Sequence, residues 1–208
     1  GSFSIDDRDI NYDPSKGWFA SERLAWYGLI PKYEKEFFLR SETILEGYLT
    51  LFDIPVSETW NFKGVLAAQT SFTGIFPFSN TQISESNRLY IDGMFKGRGW
   101  TKAYRSANAK GLALWNTSLE FRMPISANLV GFDFFHDSVA VKPSVSDMFT
   151  DLKIDDFYFS FGPGIRFLIP QLPLKFLFAF KYRIQDNKFQ WDQNSPFEFV
   201  LSFNIVNK

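Results

Sequence analysis

The segment FYFSFGPGIRF, Phe157 to Phe167, sets Phe157, Phe159, Phe161, Ile165 and Phe167 on one parity and Ser160, Gly162, Gly164 and Arg166 on the other. Side chains of a β-strand alternate between its faces, so this is a strand with one apolar face opposed to a small and charged one. The rule recurs. Leu174, Phe176, Phe178, Phe180 and Tyr182 alternate with Lys175, Leu177, Ala179, Lys181 and Arg183, and Phe197, Phe199, Leu201, Phe203 and Ile205 alternate with Glu198, Val200, Ser202, Asn204 and Val206. Upstream, Ala113, Trp115, Thr117, Leu119, Phe121 and Met123 oppose Asn116, Ser118, Glu120 and Arg122. Phe37 to Phe52 separates Arg40, Glu42 and Glu46 from Leu39, Leu45, Leu49 and Leu51, and Trp60 to Phe72 and Leu129 to Val141 are also strand-like. Gly17 to Leu29 fits least well, because Glu22 and Arg23 put one charge on each face, and a bulge or a rim position is expected there. The total is about eight strands.

Composition says what the apolar faces meet. Of 208 residues, 26 are Phe, 8 Tyr and 6 Trp, beside 22% charged residues, more rings than a water-soluble core needs. No run reaches the roughly 18 consecutive apolar residues of a membrane helix, so a membrane reading leaves the β-barrel, whose backbone polar groups are satisfied between strands. Loop lengths agree. The connections containing DIPVSE, PISAN and PQLP follow the second, fourth and sixth strands and are short; those between are longer, the longest at about 74–109. Outer-membrane barrels combine short periplasmic turns with long outer loops in this way. A soluble β-sandwich would turn its aromatic faces onto one core and explains neither the loop asymmetry nor the charged opposite faces. The expected fold is an all-β, transmembrane antiparallel up-and-down barrel, a single domain over residues 1–208 whose last strand, Phe197 to Val206, closes on Gly17 to Leu29. Phe159, Phe161, Phe176, Phe178 and Phe199 should face lipid, making Phe178→Arg costly and Lys181→Gln on the other face much cheaper.

Much chemistry is excluded. A formal net charge of −1 creates no general field for nucleic acid, and the chain has no cysteine. His136 is the single histidine, without an obvious serine partner, so an outer-membrane hydrolase lacks its nucleophile, base and orienter. Asp133, His136 and Asp137 share a strand, but the histidine faces away from both acids, which disfavours a metal site. Asp6, Asp7 and Asp9 lack the glycine and distal glutamate of an EF-hand loop and read as a solvated acidic turn. FGPGIRF precedes no helix and is no phosphate loop; its glycines suit bending or packing of strands. No catalytic residue, metal or cofactor is expected.

FKGRGW, residues 95–100, lies in the longest outer loop, where Gly97 and Gly99 permit tight turning and Arg98 offers a planar fork of donors. Glu120 and Asp137 both fall on the charged parity of their strands. By themselves these residues allow either an exposed arginine in water or a loop folded inward.

Several segments, in order, resemble the C-terminal half of the transmembrane barrel of BamA, the outer-membrane protein assembly insertase family, and look closest to its spirochaetal, treponemal forms. IDGMFKGRGW matches the family's loop motif ending Arg-Gly-aromatic, here Arg98-Gly99-Trp100, and LALWNTSLEFRMPI resembles the following strand. GFDFFHDSVAV, with Asp137, is similar to the next strand, FGPGIRFLIPQLPLKFLFAF to the penultimate hairpin, and DDRDINYDPSKG to the start of the ninth strand. The resemblance covers nearly the whole chain and about eight strands of a sixteen-stranded family barrel. The preceding strands and soluble periplasmic repeats lie outside this sequence, and the final residues, FNIVNK, lack a terminal aromatic. It implies that Arg98, Gly99 and Trp100 tuck into the lumen against Glu120 and Asp137. It also implies a non-enzymatic insertase in the outer membrane, whose partners are membrane lipid, nascent outer-membrane β-barrel proteins and, in the full-length protein, assembly-complex lipoproteins. Its physical mechanism would be a weakly paired seam between strand edges and local thinning of the bilayer. The competing expectation is a small stand-alone barrel with a structural or surface-binding role.

Overall fold

The computed structural model describes residues 1–11, 13–29, 36–58, 60–79, 81–126, 129–167 and 174–203. It is an antiparallel sheet. In chain order the strands are β1 Ser2–Asp6, β2 Gly17–Tyr27, β3 Phe38–Ser57, β4 Trp60–Pro77, β5 Leu89–Tyr90, β6 Lys110–Gly111, β7 Ala113–Ser126, β8 Val130–Lys142, β9 Phe157–Phe167, β10 Leu174–Gln185, β11 Lys188–Trp191 and β12 Phe197–Phe203. One short helix, α1, covers Val145–Thr150 and is capped by Ser144, whose hydroxyl accepts from the Asp147 N–H at 3.1 Å. No described helix is long and apolar enough to cross a membrane.

The main sheet has ten strands in the order β1-β2-β3-β4-β7-β8-β9-β10, with β11 and β12 both on the far edge of β10. Each wall strand pairs with its neighbour in sequence, as the up-and-down pattern requires. β5 and β6 form a separate two-stranded ladder inside the long loop. Two strands escape the alternation pattern. β1 is short and its burial uniform, so it carries no periodic signal. β11 is cut from β12 by DQNSP, which reads as a loop; in space 192–196 bulges opposite Lys181, whose N–H donates to the Pro196 carbonyl at 2.8 Å.

Strand ends also shift. DIPVSE is not a turn: β3 runs to Ser57 because Trp60–Gly64 of β4 continue the ladder, and Pro55 is tolerated where β3 has lost its β2 neighbour. β4 likewise reaches Pro77 and β7 reaches Ser126. The PQLP connection and residues 204–206 of the last expected strand lie outside the described residues. Nor does β2 need a bulge: its ladder with β3 is unbroken, and Glu22 is accommodated by hydroxyl donors, Ser41 at 2.6 Å and Thr43 at 2.5 Å.

The expected closure of Phe197–Val206 on β2 is not formed among the described residues. β1 occupies that edge of β2, pairing Ser2 with Arg23 through Asp6 with Phe19, while β12 pairs with β10 alone. The sheet is open.

Candidate functional site

The inner face is identified by what covers it. The described residues of 78–112 fold back over the sheet and bury Ile83, Leu89, Ile91, Trp100, Ala103 and Ala109 against Phe38, Ile75, Leu114, Val139 and Tyr158. At its tip, Asp92 Oδ1 accepts the backbone N–H groups of Met94, Phe95 and Lys96 at 2.7–3.0 Å. The Gly99 N–H donates to Gly93 O at 2.9 Å and that of Trp100 to Gly97 O at 3.0 Å, which closes the tip into a compact turn. Gly97 and Gly99 hold φ of 66° and 92°. A Cβ on either would lie 2.5 Å from a wall side chain, Val139 for Gly97 and Ala179 for Gly99. Glycine is required here by backbone conformation and by proximity together.

Arg98 is 6% exposed. Its Nε and Nη2 donate to Asp137 Oδ2 and Oδ1 at 2.7 and 2.5 Å, Nη1 donates to Glu120, and Nη2 also donates to Ser118 Oγ at 2.5 Å. The backbone N–H of Arg98 adds a bond to Asp137 at 3.2 Å, and the guanidinium lies 4.4 Å from the centre of the Phe135 ring. Burial opposes the charge, but the two carboxylates outweigh it and raise the guanidinium pKa above its usual value. Trp100 is held by its indole N–H to the Phe159 carbonyl at 3.0 Å and by edge contact with Tyr158.

The turn reaches from β3 across to β12. On one side Lys96 meets Glu42 of β3 and Thr73 of β4, each at 3.4 Å; on the other Thr101 donates to Glu198 of β12. Laid flat, β3 and β12 would be six strand spacings apart, about 29 Å. One compact turn touches both because the sheet curls around it.

Below the loop the charges continue without a break. Glu120 also accepts from Arg122 at 2.7–2.8 Å and from Lys175 at 3.1–3.2 Å. Lys175 is 3.8 Å from Asp133, which accepts from Arg166 at 3.0–3.1 Å, and Arg166 donates in turn to Asp13 in the β1–β2 hairpin. Buried carboxylates and cations thus alternate from the outer loop to the opposite end of the wall. Parity puts Asp133, Lys175 and Arg166 on the inner face, but sequence gave no sign of which would meet, because partners such as Arg166 and Asp13 lie 153 positions apart. Lys181, where a cheap substitution by Gln was expected, is 2% exposed and pairs with Glu198 at 2.9 Å and Asp192 at 3.2 Å.

Phe161, Phe176, Phe178 and Phe199 lie on the face opposite the loop, Phe199 being 50% exposed and the other three half-buried among neighbouring rings. Phe159 shares their parity but is only 8% exposed, because the Tyr182 ring stacks on it at 5.0 Å. His136 is on this outer face too, 2.9 Å from the Tyr182 hydroxyl and away from Asp133 and Asp137. No group of three or more potential metal ligands occurs among the described residues. In the first hairpin Asp9 is saturated by N–H donors from Ile10, Ser15 and Lys16 at 2.8–3.2 Å, which makes it a turn-forming carboxylate.

Comparison with known proteins gives the same direction. Residues 1–205 match the model of the Omp85 superfamily domain. The chain is 36% identical to a Treponema pallidum (strain Nichols) protein described as a candidate outer membrane protein assembly factor, over 99% of this chain and 27% of that protein. The chain therefore spans about a quarter of the relative's length.

Proposed function

Since the chain belongs to the Omp85 superfamily, we propose that it is part of the barrel wall of an outer-membrane insertase, which helps β-barrel proteins fold into the bilayer without acting as an enzyme. The observation that carries this reading is a sheet that is open among the described residues and whose curl is held from inside. Loop 78–112 and the ion network hold the curvature from inside, while β1 and β12 each keep an outer edge unpaired among the described residues. Free backbone donors and acceptors on a stable edge are a template for strand addition, and in lipid each unsatisfied group costs several kcal/mol. Such an edge favours an incoming strand, either a client's or a further strand of a longer barrel. The outer apolar face, with Leu45, Phe134, Ile165 and Phe199 exposed, suits acyl chains. A self-contained eight-stranded barrel is less well supported, since β1 occupies the edge it would close on.

The test is a folding assay. Liposomes containing the polypeptide that carries this chain should fold an added outer-membrane barrel faster than empty liposomes, and a cysteine at Leu201 on β12 should form a disulfide with a cysteine-bearing client strand. Unchanged folding rates together with no cross-link would overturn the reading.

A further inference from the structure

The hairpin of β3 and β4 outgrows the wall. β2 pairs with β3 only as far as Tyr48, and β7 pairs with β4 only as far as Val65. Among the described residues Leu49–Ser57 therefore pair only with β4 and Trp60–Gly64 only with β3, and from the Phe52–Gly64 pair onward the hairpin is a two-stranded ribbon on the short-turn side.

This ribbon is two-faced. Phe52 lies over Gly64, where an added Cβ would fall 2.3 Å from its ring, and packs on Phe62 at 5.5 Å; Ile54 pairs with Phe62. Gly64 and Phe62 share the parity of Leu66, on the outer face. The opposite face is polar: Asn61 donates to Asp53 at 2.7 Å, and Lys63 meets Asp53 at 3.4 Å. Leu49, Leu51, Ile54 and Val56 are each more than half exposed, and Leu49 and Leu51 continue the outer apolar face that Leu45 exposes higher on β3. Two register shifts, at Thr50/Phe52 and Pro55/Ser57, insert extra residues into β3, and bulges of this kind bend and twist a strand.

We propose that the ribbon of residues 49–58 and 60–64 is an interfacial foot that lies along the periplasmic leaflet, its occupant being the lipid surface; this rests on the outer-membrane reading above. Its edges have unpaired backbone groups, so the ribbon does not lie in the hydrocarbon core, where nothing would satisfy them. Headgroups and interfacial water can. Bent outward at these two bulges, the ribbon would turn its outer face up toward the acyl chains and its Asp53–Asn61–Lys63 face down to water, the arrangement of an amphipathic interfacial element. A face continuous with the lipid-contacting wall needs no other partner to cover it.

The absence of cysteine makes the test clean. Single variants Ile54→Cys, Asp53→Cys and, as a wall marker, Phe178→Cys are labelled with an environment-sensitive fluorophore in the reconstituted protein. Lipid-borne nitroxides near the headgroups should reduce emission at 54 but not at 53, aqueous iodide should reduce it at 53, and deep nitroxides should act at 178. Iodide quenching at 54 as strong as at 53, with 178 still quenched by lipid, would overturn the foot and leave the ribbon standing in water. Protection at 54 from both quenchers would also overturn it, in favour of a second copy or another protein. Loss of lipid quenching at 178 would instead remove the outer-membrane reading itself.

Discussion

Arg98 and Asp137 meet through two parallel hydrogen bonds, 2.7 Å from Nε and 2.5 Å from Nη2, with Asp137 1% exposed. A bidentate guanidinium–carboxylate pair fixes orientation as well as distance, so one residue in the loop sets the position of the tip against β8. Removing one member leaves a buried charge without its partner. Arg98→Ala should destabilise the protein by about 3–5 kcal/mol, and Arg98→Lys should recover only part because an ammonium lacks the planar fork. Double-mutant cycles in detergent unfolding should show non-additivity of Arg98 with Asp137 and with Glu120. Additive effects with both acids would mean that the clasp contributes nothing.

Gly99→Ala tests the contact on steric grounds. The new methyl would meet Ala179 in a backbone conformation that already strains any residue but glycine, a cost of about 1–3 kcal/mol. Combining it with Ala179→Gly relieves the collision but not the backbone strain, so protease cleavage within 78–112 should fall only part of the way back.

The two faces of β10 should both prove sensitive, for different reasons. Phe178→Arg should cost about 2–4 kcal/mol if its site lies near the bilayer midplane. Lys181→Gln should cost about 3 kcal/mol, at the low end for breaking a buried pair, because Glu198 and Asp192 keep some exposure. Refolding titrations in lipid would check both, and a silent Lys181→Gln would show its ion pairs to be solvated.

Acid should open the first hairpin. Burial raises the Asp9 pKa, but hydrogen bonds from Ser15, Lys16 and Ile10 outweigh it and hold the carboxyl below its ordinary value. A depressed folded pKa means that the stabilisation is fully present above about pH 3.9 and is lost as pH falls through the folded value. Protection of the Ser15 and Lys16 amides, corrected for intrinsic exchange, should drop over that window, and Asp9→Asn should abolish the dependence.

Alternation of side chains is a property of the strand alone, so the sequence determined the eight principal wall strands, their faces and the inward parity of Glu120, Asp137, Lys175 and Arg166. The resemblance to a known loop motif added Arg98 as a candidate for the interior. It could not determine where β3 stops, since Pro55 marks a turn until a neighbour is known to extend the ladder, nor that β1 and β11 exist, since neither is long enough to show a period. Beyond the acids that the resemblance set against Arg98, which carboxylate meets which cation, and whether the last strand closes on β2, were decided only by tertiary structure. Those contacts depend on the curvature of the whole sheet around one loop, and curvature is the sum of every strand's pairing rather than a feature of any segment.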